Sequence, residues 1–179
     1  MNILIAYATT EGQTRKICRF CADLLIEAEH SVEVLQVSGR ARDLDPARYD
    51  ASILAASVHI GRFQKDMVKF ATQHGAALSA HPSLFLSVSL ASAGEDAEDW
   101  AELERIVATF CDKTGYRPGQ VEQVAGAFRF TGYDFFRAWA MRYIAAVKGE
   151  TVDPHGDTEY TDWDGLRRVV TAWAGAAGR

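Results

Sequence analysis

Five short apolar runs alternate with longer amphipathic segments along the chain. The runs cover Asn2–Tyr7, Ser31–Val37, Asp50–Ala56, Ser83–Leu90 and the beginning of Val121–Phe130. Short continuous apolar runs are typical of strands that are buried on both faces of a parallel sheet. The second run instead alternates between polar and apolar residues, which favours a position near the edge of the sheet. The pattern therefore predicts a five-stranded sheet.

The segments between these runs have the three- and four-residue spacing of helices. Helices are predicted after the first run, over Lys65–Leu78 and Ala97–Thr114, and over Thr161–Ala176, where Thr161 and Asp164 have the spacing of a capping box. Strands that alternate with helices predict a doubly wound parallel α/β domain with helices on both faces. A length of 179 residues suits a single domain, residues 1–179.

Composition narrows the classes of partner. The net charge of −5 argues against a nucleic-acid surface, because such a surface needs clustered Lys and Arg. An odd number of cysteines (Cys18, Cys21 and Cys111) and no signal pattern after Met1 predict a reducing, cytoplasmic compartment. No uncharged apolar stretch of about 18 residues is present, so only peripheral membrane contact stays open. The oligomeric state has no signature in the sequence.

Ligands of such folds bind outside the carboxyl ends of the strands, which makes the loops after the first, third and fourth strands the candidates. The first loop consists of Thr9, Thr10, Glu11, Gly12, Gln13 and Thr14. Its backbone N–H groups would meet at a helix N-terminus, where they attract a phosphate. Neither a Walker pattern nor G-x-G-x-x-G is present, which disfavours nucleoside triphosphates and dinucleotides. The alternative is a plain capped start of a helix.

The other two loops favour a flat ligand. The second consists of Ser57, Val58, His59, Ile60 and Gly61, and mixes apolar residues with an imidazole. The third consists of small residues: Ser89, Leu90, Ala91, Ser92, Ala93 and Gly94. A phosphate site with two apolar loops at the same sheet edge suits flavin mononucleotide (FMN), and these three loops are the predicted cofactor-binding residues.

At these residues the sequence resembles a known family. A strand, then T-x-x-G-x-T, then a helix resembles a flavodoxin-type domain, and more closely the menaquinone-dependent protoporphyrinogen oxidase family of bacteria. The matching segments are Glu11–Arg15, Ala56-Ser57 with Gly61, Pro82-Ser83, Ser87-Val88, Ala125-Gly126-Ala127 and Tyr160-Thr161-Asp162-Trp163. The resemblance runs from the first strand to the last helix.

The resemblance implies a flavodoxin-like sheet of strand order 2-1-3-4-5 with an insertion in the last strand, here residues 131–159. It implies FMN as cofactor, oxidation of protoporphyrinogen IX, and menaquinone or a related quinone as electron acceptor. Apolar residues in the insertion recur at helical spacing and predict an amphipathic helix. Three roles are open for it: simple core packing, peripheral contact with the cytoplasmic face of the inner membrane, or covering a planar, carboxylate-bearing substrate. Arg129, Arg137 and Arg142 are predicted to bind substrate carboxylates.

Other signals point to structure rather than chemistry. Cys18-Arg19-Phe20-Cys21 falls within a helix with both sulfurs on its apolar face, which favours core packing over redox or zinc chemistry. The five histidines have no metal-ligand spacing, and no catalytic base is indicated. Two other functions remain open: a flavodoxin-like electron carrier or quinone reductase that acts with protein partners, and a flavin-free interaction domain.

Overall fold

The computed structural model describes residues 1–38, 44–128 and 158–179. Its main sheet contains five parallel strands: β1 (Asn2–Ala8), β2 (Ser31–Gln36), β3 (Ala51–His59), β5 (Ser83–Ser89) and β6 (Gln120–Ala125). A two-residue strand, β4 (Arg62–Phe63), pairs antiparallel with the end of β3. The order across the sheet is β2-β1-β3-β5-β6. Counted over the parallel strands alone this is 2-1-3-4-5, so the predicted order is confirmed.

Helices cover both faces of this sheet: α1 (Gln13–Glu27), α2 (Lys65–Leu78), α3 (Ala97–Thr114) and α4 (Trp163–Ala177). Successive residues of a strand point to opposite faces, and β1 shows this directly. Its Ile3 and Ile5 pack with α1 and α4, whereas Leu4 and Ala6 pack with α2 and α3. The apolar runs are continuous because both faces are buried, as the doubly wound prediction requires.

The predicted capping box at the last helix is wrong. The helix α4 begins at Trp163, and the carboxylate of its N-cap residue Asp162 accepts a hydrogen bond from the Gly165 N–H at 2.9 Å. The Thr161 hydroxyl instead donates to the Ala125 carbonyl at 2.7 Å. The Thr161 hydroxyl is used by the carbonyl at the end of β6, and the next residue, Asp162, caps α4 instead.

The last parallel strand occupies the beginning of the run from Val121 to Phe130, as predicted. It ends at Ala125, and after Gly126 a short strand, β7 (Ala127–Phe128), pairs antiparallel with β8 (Thr158–Glu159). Of the predicted insertion 131–159, only residues 158–159 are described. Its amphipathic helix and the arginines Arg129, Arg137 and Arg142 lie outside the described residues and stay predictions.

The two cysteines of the C-x-x-C motif are core residues. Cys18 and Cys21 are buried between α1 and the sheet, with no exposed surface. Burial raises the pKa of both thiols, that of Cys21 to about 12. Since the thiolate is the nucleophile and the metal ligand, thiols with such a high pKa are inert near neutral pH. The prediction of core packing is confirmed.

None of the helices in residues 1–38, 44–128 and 158–179 is long and apolar enough to cross a membrane. In the same ranges, no three His, Cys, Asp or Glu side chains are grouped so that they could hold a metal ion.

Candidate functional site

A cleft lies at the carboxyl edge of the main sheet, where β1, β3, β5 and β6 end. We call it the strand-end cleft. It is lined by residues from all three candidate loops and from the end of the last parallel strand: Thr9, Thr10, Glu11, Gln13, Thr14, Ser57, Val58, His59, Val88, Ser89, Leu90, Gly126 and Ala127. Among these lining residues none is Lys or Arg. Any anion bound here would therefore depend on N–H groups, hydroxyls and the helix dipole.

The loop before α1 leaves its helix N-terminus open. Gly12 is the N-cap residue, with φ of 94°, a left-handed conformation that a glycine adopts without strain. No side chain caps the helix. The Gly12 N–H is itself taken up by the Thr9 hydroxyl at 2.9 Å, which holds the loop in this turn. The N–H groups of the first turn therefore lack a side-chain cap, and such a terminus is suited to an anion.

Thr14 supplies the clearest sign of a ligand. Its side chain lines the strand-end cleft, the residue is 1% exposed, and its Oγ1 has no hydrogen-bond partner. A buried hydroxyl without a partner costs about 1–3 kcal/mol, and nearly all such groups in proteins are satisfied. An anionic oxygen placed at the start of α1 would accept this hydrogen bond. The residues present thus fit a phosphate group.

A hydrogen-bond chain fastens this loop to the far end of the sequence. The Gln13 side-chain amide donates to the Thr161 hydroxyl at 3.0 Å, and that hydroxyl donates to the Ala125 carbonyl at 2.7 Å. Gln13 lines the cleft, and Ala125 precedes the lining residue Gly126. Gln13 is thus held by Thr161, which is itself tied to the end of β6.

Lys16, one turn into α1, contacts residues outside the loop before α1. Its Nζ lies 2.6 Å from a carboxylate oxygen of Glu159 and 5.0 Å from the centre of the Trp163 ring. The Trp163 N–H donates to the other carboxylate oxygen at 2.7 Å. Partial burial acts to raise the pKa of Glu159, but the hydrogen bonds from Lys16 and Trp163 outweigh it and lower that pKa. Lys16 therefore anchors β8 to α1.

The second candidate loop is a tight hairpin between β3 and β4. Val58 pairs with Phe63 and His59 with Arg62, which leaves Ile60 and Gly61 as the turn, both with positive φ (49° and 68°). This conformation is costly for a β-branched side chain, and Ile60 is 64% exposed. Val58 and His59 line the cleft, whereas Ile60 lies at the hairpin tip outside it.

Gln64 joins the first and second loops, a role that the sequence analysis missed. Its side-chain amide donates to the Thr10 hydroxyl at 3.2 Å and also to the Ser57 hydroxyl. Both hydroxyl residues line the strand-end cleft. The pattern of apolar and polar residues gives no sign of this role, because Gln64 is simply a polar residue in front of α2. Gln64 reaches these hydroxyls because the hairpin of β3 and β4 brings the chain back beside the first loop.

The third loop is braced from within. The Ser89 hydroxyl accepts from the Ser92 N–H at 3.1 Å, and the Ser92 hydroxyl donates to the Ser89 carbonyl at 2.9 Å. The indole N–H of Trp100 donates to the Gly94 carbonyl at 2.8 Å. Only Ser89 and Leu90 of this loop line the cleft. The rest forms a short 3-10 turn behind them.

The structure thus gathers ten of the predicted cofactor residues around one cleft. Seven others lie beside it rather than in its wall: Gly12, Ile60, Gly61, Ala91, Ser92, Ala93 and Gly94. Three lining residues were not predicted to bind: Val88, Gly126 and Ala127. Val88 comes from the end of β5, whereas Gly126 and Ala127 follow β6, and the prediction considered no loop after the last strand. The Gly126 N–H donates to the Ser89 carbonyl at 2.8 Å, which keeps these two strand ends together.

Comparison with known proteins agrees with this architecture. Residues 4–155 match the family described as flavodoxin domain. A relative from Leishmania major, named protoporphyrinogen IX dehydrogenase (quinone), is 31% identical over 173 residues, which cover 96% of this chain and 74% of the relative. A relative of the same name from Escherichia coli strain K12 is 27% identical over 164 residues, 92% of this chain and 90% of the relative.

Solved structures show the same fold. Oxidised flavodoxin 2 from Bacillus cereus superposes with a TM-score of 0.62 at 17% identity, over 98% of this chain and 99% of that one. A flavodoxin from the domain Archaea gives 0.54 at 12% identity over the whole of both chains. The chain therefore belongs to the flavodoxin domain family, and within it to the relatives that carry the dehydrogenase name.

Proposed function

We propose that this member of the flavodoxin domain family is an FMN-dependent oxidoreductase that oxidises protoporphyrinogen IX to protoporphyrin IX, with a quinone as electron acceptor. The observation that supports it most is the 31% identity with the Leishmania major relative over 96% of the chain. That match covers the strands, the loops of the strand-end cleft and the segment after the insertion together. A likeness restricted to the sheet would have supported the fold alone.

Different residues of the strand-end cleft suit the phosphate and the ring of FMN. The open start of α1 and the unpaired Thr14 hydroxyl would hold the phosphate. Val58 and His59 on one side and Ser89 and Leu90 on the other would flank the ring. The bound flavin supplies the capacity to take up and pass on electrons. The protein's own part is to hold the cofactor, orient the substrate and exclude water.

The direct test is an anaerobic oxidation assay with the FMN-loaded protein, protoporphyrinogen IX and a water-soluble menaquinone analogue. Porphyrin fluorescence should rise only when protein, FMN and quinone are all present. Protein freed of FMN and then reconstituted provides the matched control, because it separates catalysis from spontaneous oxidation.

Two negative results have different meanings. A protein that binds FMN but forms no porphyrin would contradict the proposed substrate and favour the electron carrier or quinone reductase. The carrier is then tested by FMN reduction with a reductase partner, and the quinone reductase by quinone reduction with a nicotinamide donor. A protein that binds no FMN would contradict the cofactor itself.

A further inference from the structure

A groove runs between α2 and α3, next to the hairpin of β3 and β4. We call it the helix groove. It has a volume of about 780 Å³, within the range of small-molecule sites. The hairpin belongs to both sites, since Val58 and His59 line the strand-end cleft whereas Gly61, Arg62 and Phe63 line the groove. The two sites are therefore separated by the width of one hairpin.

The floor of the helix groove is apolar and rigid. Phe63 and Phe110 form it together with Ile106 and Val68. The Phe63 and Phe110 rings meet edge to face with their centres 5.1 Å apart, and each is 4% exposed. Phe63 packs in the same way against Phe85 of the sheet, at 5.1 Å. Such a floor favours the apolar body of a ligand.

The rim of the groove carries a concentration of positive charge. Five cationic residues line it, and all five are exposed: Arg62, Lys65, Lys69, Arg105 and Lys113. The one lining acid is Glu102, which lies 2.7 Å from Arg105. The lining charge of +4 (five cations less one acid) contrasts with the net −5 of the whole chain. Since the cations come from the hairpin and both helices, they suit more than one acid group on the same ligand.

We propose that the helix groove binds the carboxylate side chains of an apolar macrocyclic diacid. This inference rests on the proposed function for the identity of the ligand, because the porphyrinogen and its porphyrin product each carry two propionic acid groups. The groove would hold these acids on the rim and the adjoining part of the ring on the aromatic floor. It offers a set of cations within the described residues, as an alternative to Arg129, Arg137 and Arg142 of the predicted insertion.

The test measures binding of the stable product, protoporphyrin IX, and of its dimethyl ester to the FMN-loaded protein. The diacid should bind about 10-fold more tightly than the ester, and its affinity should fall with added salt. Lys65→Gln/Lys69→Gln should weaken the diacid about 10-fold and leave the ester and FMN unaffected. The matched control is Arg19→Gln/Arg179→Gln, which removes the same charge from α1 and from the end of the chain, on the other face of the sheet.

Two results would overturn the helix groove as the diacid site. One is equal binding of diacid and ester, and the other is a loss of diacid binding in Arg137→Gln/Arg142→Gln but not in the groove variant. The oxidation assay is read separately. Oxidation without any effect of the groove variant refutes this inference alone. Groove-dependent binding of the diacid without oxidation refutes the proposed reaction alone.

Discussion

Among single residues, Thr14 links the chemistry of the strand-end cleft to the energetics of the fold. Its buried hydroxyl lacks a partner, so the protein without ligand bears the cost of that group, which the ligand would then offset. The residue is next to Gln13, whose side-chain amide donates a hydrogen bond to the Thr161 hydroxyl. Gln13 thus fixes the loop, and the hydroxyl of Thr14 stays available to a ligand.

We expect Thr14→Val to have opposite effects on stability and on binding. Valine keeps the shape of threonine and removes the unpaired hydroxyl, so the free energy of unfolding without FMN should be unchanged or higher by about 1 kcal/mol. The affinity for FMN should fall about 5- to 20-fold, or roughly 1–2 kcal/mol, because a hydrogen bond to the phosphate is lost. Urea unfolding and FMN fluorescence titration measure the two effects.

Thr14→Ser is the control, since it keeps the hydroxyl and should bind FMN nearly as tightly as the original protein. If Thr14→Val bound FMN without loss, the phosphate would not contact this hydroxyl.

At the scale of elements, the N-terminus and the apolar face of α1 have different roles. Its N-terminus opens on the strand-end cleft, while Cys18 and Cys21 hold its apolar face against the sheet. An unfolded thiol ionises near its ordinary pKa of about 8.5. Folded Cys21 keeps its proton until about pH 12, and burial raises the pKa of Cys18 as well. The unfolded state therefore releases these protons first as the pH rises.

It follows that the free energy of unfolding should fall as the pH rises from 8 towards 12. Between pH 8 and pH 10, Cys21 alone should account for about 1–2 kcal/mol of the loss. Urea unfolding at the two pH values tests this, with Cys18→Ala/Cys21→Ala for comparison. The double variant should be less stable at pH 8, because it leaves space in the core, yet lose less stability between the two values. An identical pH dependence in both proteins would contradict ionisation of these thiols as the cause.

The same elements show what the sequence could predict. The bounds of α2 and α3 agree with the prediction because their apolar faces are long and periodic. The hairpin strand β4 was not predicted, since two residues form no pattern. The sequence set no end for β6, because Ala127 and Phe128 remain apolar although they pair with β8 rather than with the main sheet. The cleft could be predicted from the strand ends, whereas Gln64 and Gly126 required the folded chain.

In the whole molecule, the cleft draws its walls from the loop after β1, from the carboxyl ends of β3 and β5 and from the residues that follow β6. A ligand there would touch segments that are far apart along the chain, so its binding energy should appear in global unfolding. We expect excess FMN to stabilise the protein by about 2.7 kcal/mol at 100 times its dissociation constant. A thermal shift series with FMN measures this.

Riboflavin, which lacks the phosphate, is the matched comparison and should stabilise the protein markedly less at the same concentration. Equal stabilisation by both would mean that the start of α1 contributes nothing to binding.

The link between Gln13 and Thr161 spans 148 positions along the chain. In a protein made from its N-terminus onward, the loop before α1 would emerge from the ribosome 148 residues ahead of its partner. Contacts this distant in sequence form late and slow the search for the native state. A flavin taken up by this cleft would therefore meet the completed loop only after Thr161 has been synthesised.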